Sequence, residues 1–149
     1  HNTTMQERHT CDAENVNPPL SIAGVPEGTV SLALIVDDPD IPQEIKDTRG
    51  IEIVDHWTLF NIDPNITEIG EGEAPGVQGV NTRGNNEYMG PCPPPEYEPT
   101  EHRYFFKLFA LDTTLDLPEG STKGDVLTAL EGHVLAQTEL IGLYDRANK

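Results

Sequence analysis

The 149-residue chain is poor in basic residues and in long apolar runs. It has 9 lysines and arginines against 26 aspartates and glutamates, which gives a formal net charge of −17. Nucleic acids and anionic membrane surfaces repel a protein of this charge, so we expect neither as a partner. No apolar stretch approaches the roughly 18 residues that a membrane-spanning helix needs. The sequence therefore predicts no transmembrane segment.

Cysteine is also scarce, since Cys11 and Cys92 are the only two, which is too few for a disulfide framework. We expect a cytoplasmic protein with two separate free thiols. A single disulfide bridge between them is the alternative, if the fold brings the two residues together. Export also stays open, because the chain begins at His1 and because Asn-x-Thr sequons begin at Asn2 and Asn65.

The excess of acidic residues has two interpretations. It can form a solvated surface that aids solubility, or it can form a site for a cation or a basic partner. We favour the solvated surface, because the acidic residues are spread along the whole chain. A length of 149 residues, with strong local apolar runs despite a hydrophobic fraction of 36%, indicates one globular domain with a buried core.

Three short apolar runs predict buried strands, because turn residues bound them and β-branched or aromatic residues fill them. They are Val30 to Val36, His56 to Ile62 and Tyr104 to Leu111. Residues 41–53 are charged and show no clear periodicity, which predicts a loop. Residues 70–100 hold most of the glycine and proline and predict a long loop with one short strand. A loop of that length is usually functional.

The C-terminal part predicts one helix and a last strand. Thr122-x-x-Asp125 has the form of a capping box, and apolar residues follow at helical spacing, so we expect a helix over about residues 122–132. We favour a strand over about 134–144, although the helix could instead continue. Several strands, few helices and long loops predict a mainly β, mostly antiparallel domain that places functional residues on loops at strand ends.

Two polar motifs flank the first two predicted strands. Asp37-Asp38-Pro39-Asp40 follows the first strand, where the prolines on either side of Asp40 would aim the carboxylates. The same pattern is typical of an Asp-Pro turn that simply ends a strand. His56-Trp57 opens the second strand, where a half-buried packing role is the simpler interpretation.

The most informative stretch runs from Gly79 to Asp112. Its proline-rich segment from Gly90 to Pro95 cannot add to a sheet, so it indicates a stiff wall. His102-Arg103-Tyr104 follows at the start of the third strand, an arrangement typical of a pocket for a small anion or polar ligand. Alternation places His102 and Tyr104 on one face and leaves Arg103 on the other, to pair with a carboxylate such as Asp38.

Together these motifs resemble the phosphatidylethanolamine-binding protein family, also called the Raf kinase inhibitor protein family, and in particular its bacterial and archaeal branch. The matching pieces are Cys11-Asp12-x-Glu14-Asn15-x-x-Pro18-Pro19-Leu20, Ser31-Leu32-Ala33, Asp38-Pro39-Asp40-x-Pro42, His56-Trp57, Asn61-Ile62, Gly79-x-Asn81, Tyr88-x-Gly90-Pro91-Cys92-Pro93-Pro94, His102-Arg103-Tyr104 and Glu131-Gly132-His133-Val134-Leu135-Ala136. The chain departs from the family pattern in two places. The family's strand ahead of Cys11 looks truncated, and the segment from Ile41 to Val54 is longer than usual.

The resemblance implies a β-sandwich of two antiparallel sheets with a short C-terminal helix, forming a single domain over residues 1–149. It also implies a cavity for phosphate, acetate, cacodylate or a phosphoethanolamine head group. The implied ligand-binding residues are Asp38, Asp40, Pro42, His56, Tyr88, Gly90, Pro91, His102 and Tyr104, with Arg103, Trp57 and Cys92 in support. An X-Pro bond in these loops could be cis, and a homodimer is expected from the branch.

We expect a protein that binds a small anion or a phosphoethanolamine-like zwitterion and thereby regulates a partner protein. His56 and His102 would donate to phosphate oxygens, while Asp38 and Asp40 would face an ammonium. An inhibitor of a serine protease or kinase, acting through surface loops, is the alternative.

An enzyme is a third hypothesis, with the histidines and aspartates as an acid–base set or a metal site. The sequence offers no recognisable activated nucleophile, although the thiol of Cys92 is conceivable as one. We expect no cofactor, no metal and no catalytic residue.

Overall fold

The three predicted apolar strands form the centre of the computed structural model, which describes residues 1–148. The strands are β1 (Thr3–Thr4), β2 (Leu20–Ser21), β3 (Ser31–Asp38), β4 (Val54–Ile62), β5 (Glu68–Ile69), β6 (Val77–Gln78), β7 (Glu101–Leu111) and β8 (Val134–Asp145). The helices are α1 (Gln43–Arg49) and α2 (Lys123–Leu130), and a 3₁₀ turn covers Glu7–His9. The prediction of a mainly β fold is confirmed.

The strands form two sheets of unequal size. The larger sheet has six strands in the order β1-β8-β7-β3-β4-β6, and β2 pairs with β5 in the smaller one. Every pair is antiparallel except β1 with β8, which is parallel. Since β3 lies between β7 and β4, the carboxyl end of β3 lies beside the amino ends of both neighbours.

Both faces of the large sheet are covered around β3, which is buried along its whole length. Leu34 and Val36 pack on one face in a cluster that includes Trp57 and Tyr104. Ile35 packs on the other face, against a cluster that includes Val126 of α2. A strand covered on both sides has a continuous apolar sequence, which explains the run that follows Val30.

The C-terminal prediction is confirmed, since α2 is followed by β8 and does not continue through it. The predicted capping box is formed at the start of α2. The Thr122 hydroxyl accepts from the Asp125 N–H at 3.1 Å, and the Asp125 carboxylate accepts from the Thr122 N–H at 3.0 Å. Gly132, at φ 78°, adopts the left-handed conformation between the helix and the strand.

The prediction of a loop over residues 41–53 is wrong, because this segment contains α1. No residue of α1 is buried, so its sequence carries no apolar periodicity by which it could be recognised. Its ends are nevertheless defined. Pro42 precedes the first turn, and Gly50 follows the last at φ 65°, a common way for a helix to end.

The expectation of free thiols is also wrong, because Cys11 and Cys92 form a disulfide across 81 residues of sequence, with Cα atoms 5.4 Å apart. Sequence spacing alone does not show that two such distant residues meet. Disulfides are typical of oxidising compartments, so this one does not support the predicted cytoplasmic location. Within residues 1–148, no helix is both long and apolar enough to cross a membrane. The cis X-Pro bond suggested by the resemblance occurs at Glu98-Pro99.

We expect Thr122→Ala to lower the free energy of unfolding by about 1 kcal/mol, because it removes the side-chain cap of α2. Urea unfolding followed by circular dichroism measures this change. Thr128→Ala, an exposed substitution within the same helix, is the matched control and should stay within about 0.5 kcal/mol of the wild type. Equal decreases in the free energy of unfolding for the two variants would contradict the capping role of Thr122.

Reduction of the Cys11–Cys92 bridge should lower the free energy of unfolding by about 2–5 kcal/mol, because the bridge restricts the unfolded chain. Urea unfolding with and without dithiothreitol measures the difference. The double variant Cys11→Ser/Cys92→Ser should unfold like the reduced protein and should not respond to dithiothreitol. Two thiols titrating in the denatured, unreduced protein would show that the bridge is absent.

Candidate functional site

A cavity of about 230 Å³ lies where the carboxyl end of β3 meets the amino ends of β4 and β7. Helix α1 and the proline-rich loop form its walls. Six of the predicted ligand-binding residues line it, namely Asp38, Pro42, His56, Gly90, His102 and Tyr104. Cys92, predicted as a supporting residue, lines it as well. The structure therefore brings together three motifs that are far apart in the sequence.

The floor of the cavity contains a buried Asp38–His102 pair. The Nδ1 of His102 lies 2.7 Å from an oxygen of Asp38, and the two residues are only 1% and 3% exposed. The second nitrogen of His102 contacts the carbonyl oxygen of Pro99 at 3.1 Å. Both ring nitrogens of His102 therefore face acceptor oxygens of the protein itself. Neither N–H is then left for a ligand, which differs from the predicted donation by His102 to phosphate.

His56 is buried above Tyr104, whose ring it meets edge-on at 5.1 Å between centroids. Its Nδ1 lies 2.6 Å from the Met89 carbonyl oxygen, so this nitrogen carries the proton and donates. Burial lowers the pKa of His56 below its ordinary value. The hydrogen bond to Met89 and the charge of Asp38 raise this pKa again, but only in part. His56 is therefore neutral near pH 7, and its Nε2 is an acceptor.

Tyr104 differs from the two histidines because its hydroxyl is unused. The residue lines the cavity and is 1% exposed. Its hydroxyl makes no hydrogen bond within residues 1–148, and its oxygen is not among the enclosed polar atoms that lack a partner, so it opens onto the cavity. Burial, supported by the charge of Asp38, raises its pKa, so the hydroxyl keeps its proton and remains a donor.

Asp40 and Arg103 pair with each other outside the cavity. The Arg103 Nε and Nη2 donate to the two Asp40 oxygens at 2.7 and 2.8 Å, and the Arg103 backbone N–H donates to Asp40 at 3.0 Å. The Arg103 hydrogen bond lowers the pKa of Asp40. The predicted pairing of Arg103 with Asp38 is therefore wrong, because Asp38 is turned inward to His102. Asp40 does not line the cavity.

Three further predicted residues lie behind the cavity rather than on its surface. The Tyr88 hydroxyl donates to the His9 carbonyl oxygen at 2.7 Å. The Pro91 carbonyl oxygen accepts from the Cys11 N–H at 3.0 Å. The Trp57 Nε1–H donates to the side chain of Gln78 at 2.9 Å. These residues support the walls without lining them.

The N-terminal segment fixes the proline-rich wall in place. A Cβ on Gly90 would lie 2.5 Å from the His9 carbonyl oxygen and 2.9 Å from the Thr10 Cα, so only glycine fits. The Gly90 N–H donates to Asn15 at 2.8 Å, and the Cys11–Cys92 bridge lies next to this contact. The shape of the wall therefore depends on residues about 80 positions away in sequence.

Several residues that line the cavity were not anticipated. They are Ile41, Ile45, Arg49, Val54, Thr82, Arg83 and Met89, whereas Pro93 and Pro94 belong to the predicted proline-rich wall. Ile45 and Arg49 were missed because their helix was predicted as a loop. Arg83 lies in the Gly- and Asn-rich turn after Gly79, and nothing in its local sequence directs it to the cavity.

No group of three or more His, Cys, Asp and Glu residues within residues 1–148 is arranged to hold a metal ion. The metal-site hypothesis therefore gains no support. Cys92 is bridged to Cys11, so it is not the free thiol nucleophile that the enzyme hypothesis considered.

The fold and the site define a mainly β protein with a polar cavity at the ends of its central strands. The chain matches the family profile of phosphatidylethanolamine-binding proteins over residues 1–145. A UPF0098 protein of Methanothermobacter thermautotrophicus is 51% identical, over 95% of this chain and 91% of that protein. A UPF0098 protein of Chlamydia pneumoniae is 43% identical, over 96% and 91%.

Solved structures agree with this assignment. A phosphatidylethanolamine-binding protein homolog from Chlamydia trachomatis superposes with a TM-score of 0.89 at 37% identity, over 98% of this chain and 92% of that one. Escherichia coli YbcL, described as a member of the mammalian family, has a TM-score of 0.81 at 30% identity, over 96% and 91%. The chain belongs to the phosphatidylethanolamine-binding protein family.

We expect the lowered pKa of His56 to make the fold sensitive to acid. Below about pH 6.5 the unfolded chain protonates this histidine while the folded protein does not, so acid favours unfolding. Each pH unit between 6.5 and the folded pKa costs up to about 1.4 kcal/mol. Urea unfolding between pH 7.5 and 5 should show that the free energy of unfolding falls less steeply with acid for His56→Gln than for the wild type. A nuclear magnetic resonance titration that places the His56 pKa at or above 6.5 would contradict this account.

Proposed function

We propose that this protein binds a small ligand with an anionic oxygen, of the phosphate or phosphoethanolamine type, and that binding regulates a partner protein. The observation that carries this proposal is the unpaired hydroxyl of Tyr104 at the cavity. The hydroxyl opens onto the cavity and makes no hydrogen bond within the described residues, so it is free to donate to an acceptor oxygen of a ligand.

The charges around Tyr104 permit an anion to approach. Asp38 alone would repel a phosphate, but its two oxygens are held by His102 at 2.7 Å and by the Asp40 N–H at 2.8 Å. Asp40 is neutralised by Arg103 and lies outside the cavity. Both carboxylates therefore have partners within the protein, and Tyr104 is the available donor at the floor.

The size of the cavity limits the ligand. About 230 Å³ is below the usual range for drug-sized ligands. This volume suits a head group or a free small anion rather than a whole lipid, whose acyl chains would have to lie outside. The hypothesis that Asp38 and Asp40 together face an ammonium loses support, because Asp40 is not at the cavity.

The regulatory part of the proposal rests on α1. This helix forms one wall of the cavity through Ile45 and Arg49, yet none of its residues is buried. A ligand that contacts the cavity side of α1 would fix the position of this helix. The outer side of the helix is exposed, so a partner protein can bind there. Family membership alone does not identify that partner.

A pair of tyrosine variants tests ligand binding. Tyr104→Phe should weaken the binding of O-phosphoethanolamine and of inorganic phosphate by roughly tenfold or more, since it removes one hydrogen bond to a charged group. Its stability should change little, because the hydroxyl has no partner within the described protein. Isothermal titration calorimetry measures affinity, and urea unfolding measures stability.

Tyr88→Phe is the matched control. It removes another buried tyrosine hydroxyl, but one that is bonded to His9 behind the wall. We expect this variant to lose about 1 kcal/mol of stability and to keep its affinity within about twofold. No binding of either probe to the wild type, or equal affinities for all three proteins, would overturn the proposed site.

A further inference from the structure

Most of the lysine and arginine side chains that the structure describes contact a carboxylate. The structure describes eight of the nine lysines and arginines. Six of the eight contact a carboxylate, in the pairs Arg8–Glu71, Lys46–Glu52, Arg103–Asp40, Lys107–Asp37, Lys123–Asp55 and Arg146–Asp12. Among the described residues, Arg49 and Arg83 have no such partner. With 26 acidic residues in the chain, two unpaired arginines are an exception that calls for a cause.

These two arginines line the same cavity. Arg49 is the last residue of α1, and Arg83 lies in the turn that follows β6. Both residues are exposed, whereas the Asp38–His102 pair is buried, so the arginines lie toward the mouth of the cavity. Neither guanidinium contacts a carboxylate of the described residues, so both are available to an anion that enters this cavity.

The backbone that carries Arg83 is fixed by its neighbours. Its N–H donates to the Asn81 side chain at 2.9 Å, and the same oxygen accepts from the Asn85 N–H at 3.2 Å. Thr82 is tied to β4, because its N–H donates to the Asp55 carbonyl oxygen at 3.0 Å. Arg83 therefore projects from an ordered turn, which reduces the cost of positioning it on a ligand.

We infer that Arg49 and Arg83 form an anion clamp at the mouth of the cavity and that this clamp makes the protein prefer a dianion to a monoanion. This inference rests on the proposed function, to which it adds the charge of the ligand. A guanidinium binds phosphate oxygens through two parallel N–H donors, and two guanidiniums match two negative charges better than one. A monoanionic carboxylate would use only part of the clamp.

The test measures methyl phosphate and acetate binding by calorimetry at pH 8, where methyl phosphate is a dianion. The proteins compared are the wild type, Arg49→Gln, Arg83→Gln and the double variant. Each single substitution should weaken methyl phosphate binding by roughly tenfold, because it removes a charge-assisted contact. The double variant should lose more methyl phosphate affinity than either single variant. In every variant the affinity for acetate should fall by less than the affinity for methyl phosphate.

Lys46→Gln is the matched control. It lies on the same helix, pairs with Glu52 and does not line the cavity, and it changes the net charge by the same amount. We expect it to keep methyl phosphate affinity within about twofold and so to separate the clamp from the overall field of the protein. Unchanged thermal unfolding of the exposed arginine variants would confirm that they fold.

Two outcomes would overturn the clamp in distinguishable ways. If the wild type binds methyl phosphate and the double variant binds it equally, the clamp is wrong while the proposed function stands. If the wild type binds neither probe, the clamp and the proposed function both fail. Equal losses for Lys46→Gln and the arginine variants would also overturn the clamp, since net charge alone would then explain the effect.

Discussion

The buried hydrogen bond between Asp38 and His102 is the contact on which the cavity depends. It joins the end of β3 to the start of β7, and its remaining hydrogen bonds reach the Asp40 N–H and the Pro99 carbonyl oxygen. A buried charge that loses its partner is strongly destabilising. The pair therefore fixes both the strand ends and the turns that leave them.

Asp37 and Asp38 are adjacent at the end of β3, so the alternation of side chains along a strand places them on opposite faces of the sheet. Asp38 faces the cavity, whereas Asp37 contacts Lys107 of β7 and Lys123 of α2. Lys123 also pairs with Asp55 of β4. One strand end thus supports two charge networks, one that shapes the cavity and one that holds α2 against the sheet. The second network explains why an Asp-Asp pair can be largely buried without repulsion dominating.

Much of the framework could be predicted because it depends on local patterns. The continuous apolar run of β3 and the Thr122–Asp125 capping box are both visible over fewer than ten residues. Helix α1 could not be predicted, since a helix without buried residues leaves no apolar pattern. The sequence also could not show whether Arg103 pairs with Asp38 or Asp40, because this depends on how the turn between them is folded. The Cys11–Cys92 bridge depends on contact across 81 residues in the same way.

The overall acidity and the unpaired arginines act over different distances, so they do not cancel. At physiological ionic strength, charges on the surface are screened beyond about 8 Å, which weakens the long-range repulsion of anions by the acidic surface. Arg49 and Arg83 line the cavity itself and act within contact distance, where screening is weak. The acidic surface therefore discourages polyanions, which would have to spread across it, more than a small anion that fits a cavity of about 230 Å³. Under the proposed function, net charge and ligand charge can consequently have the same sign, and that combination would favour small anions over polyanions.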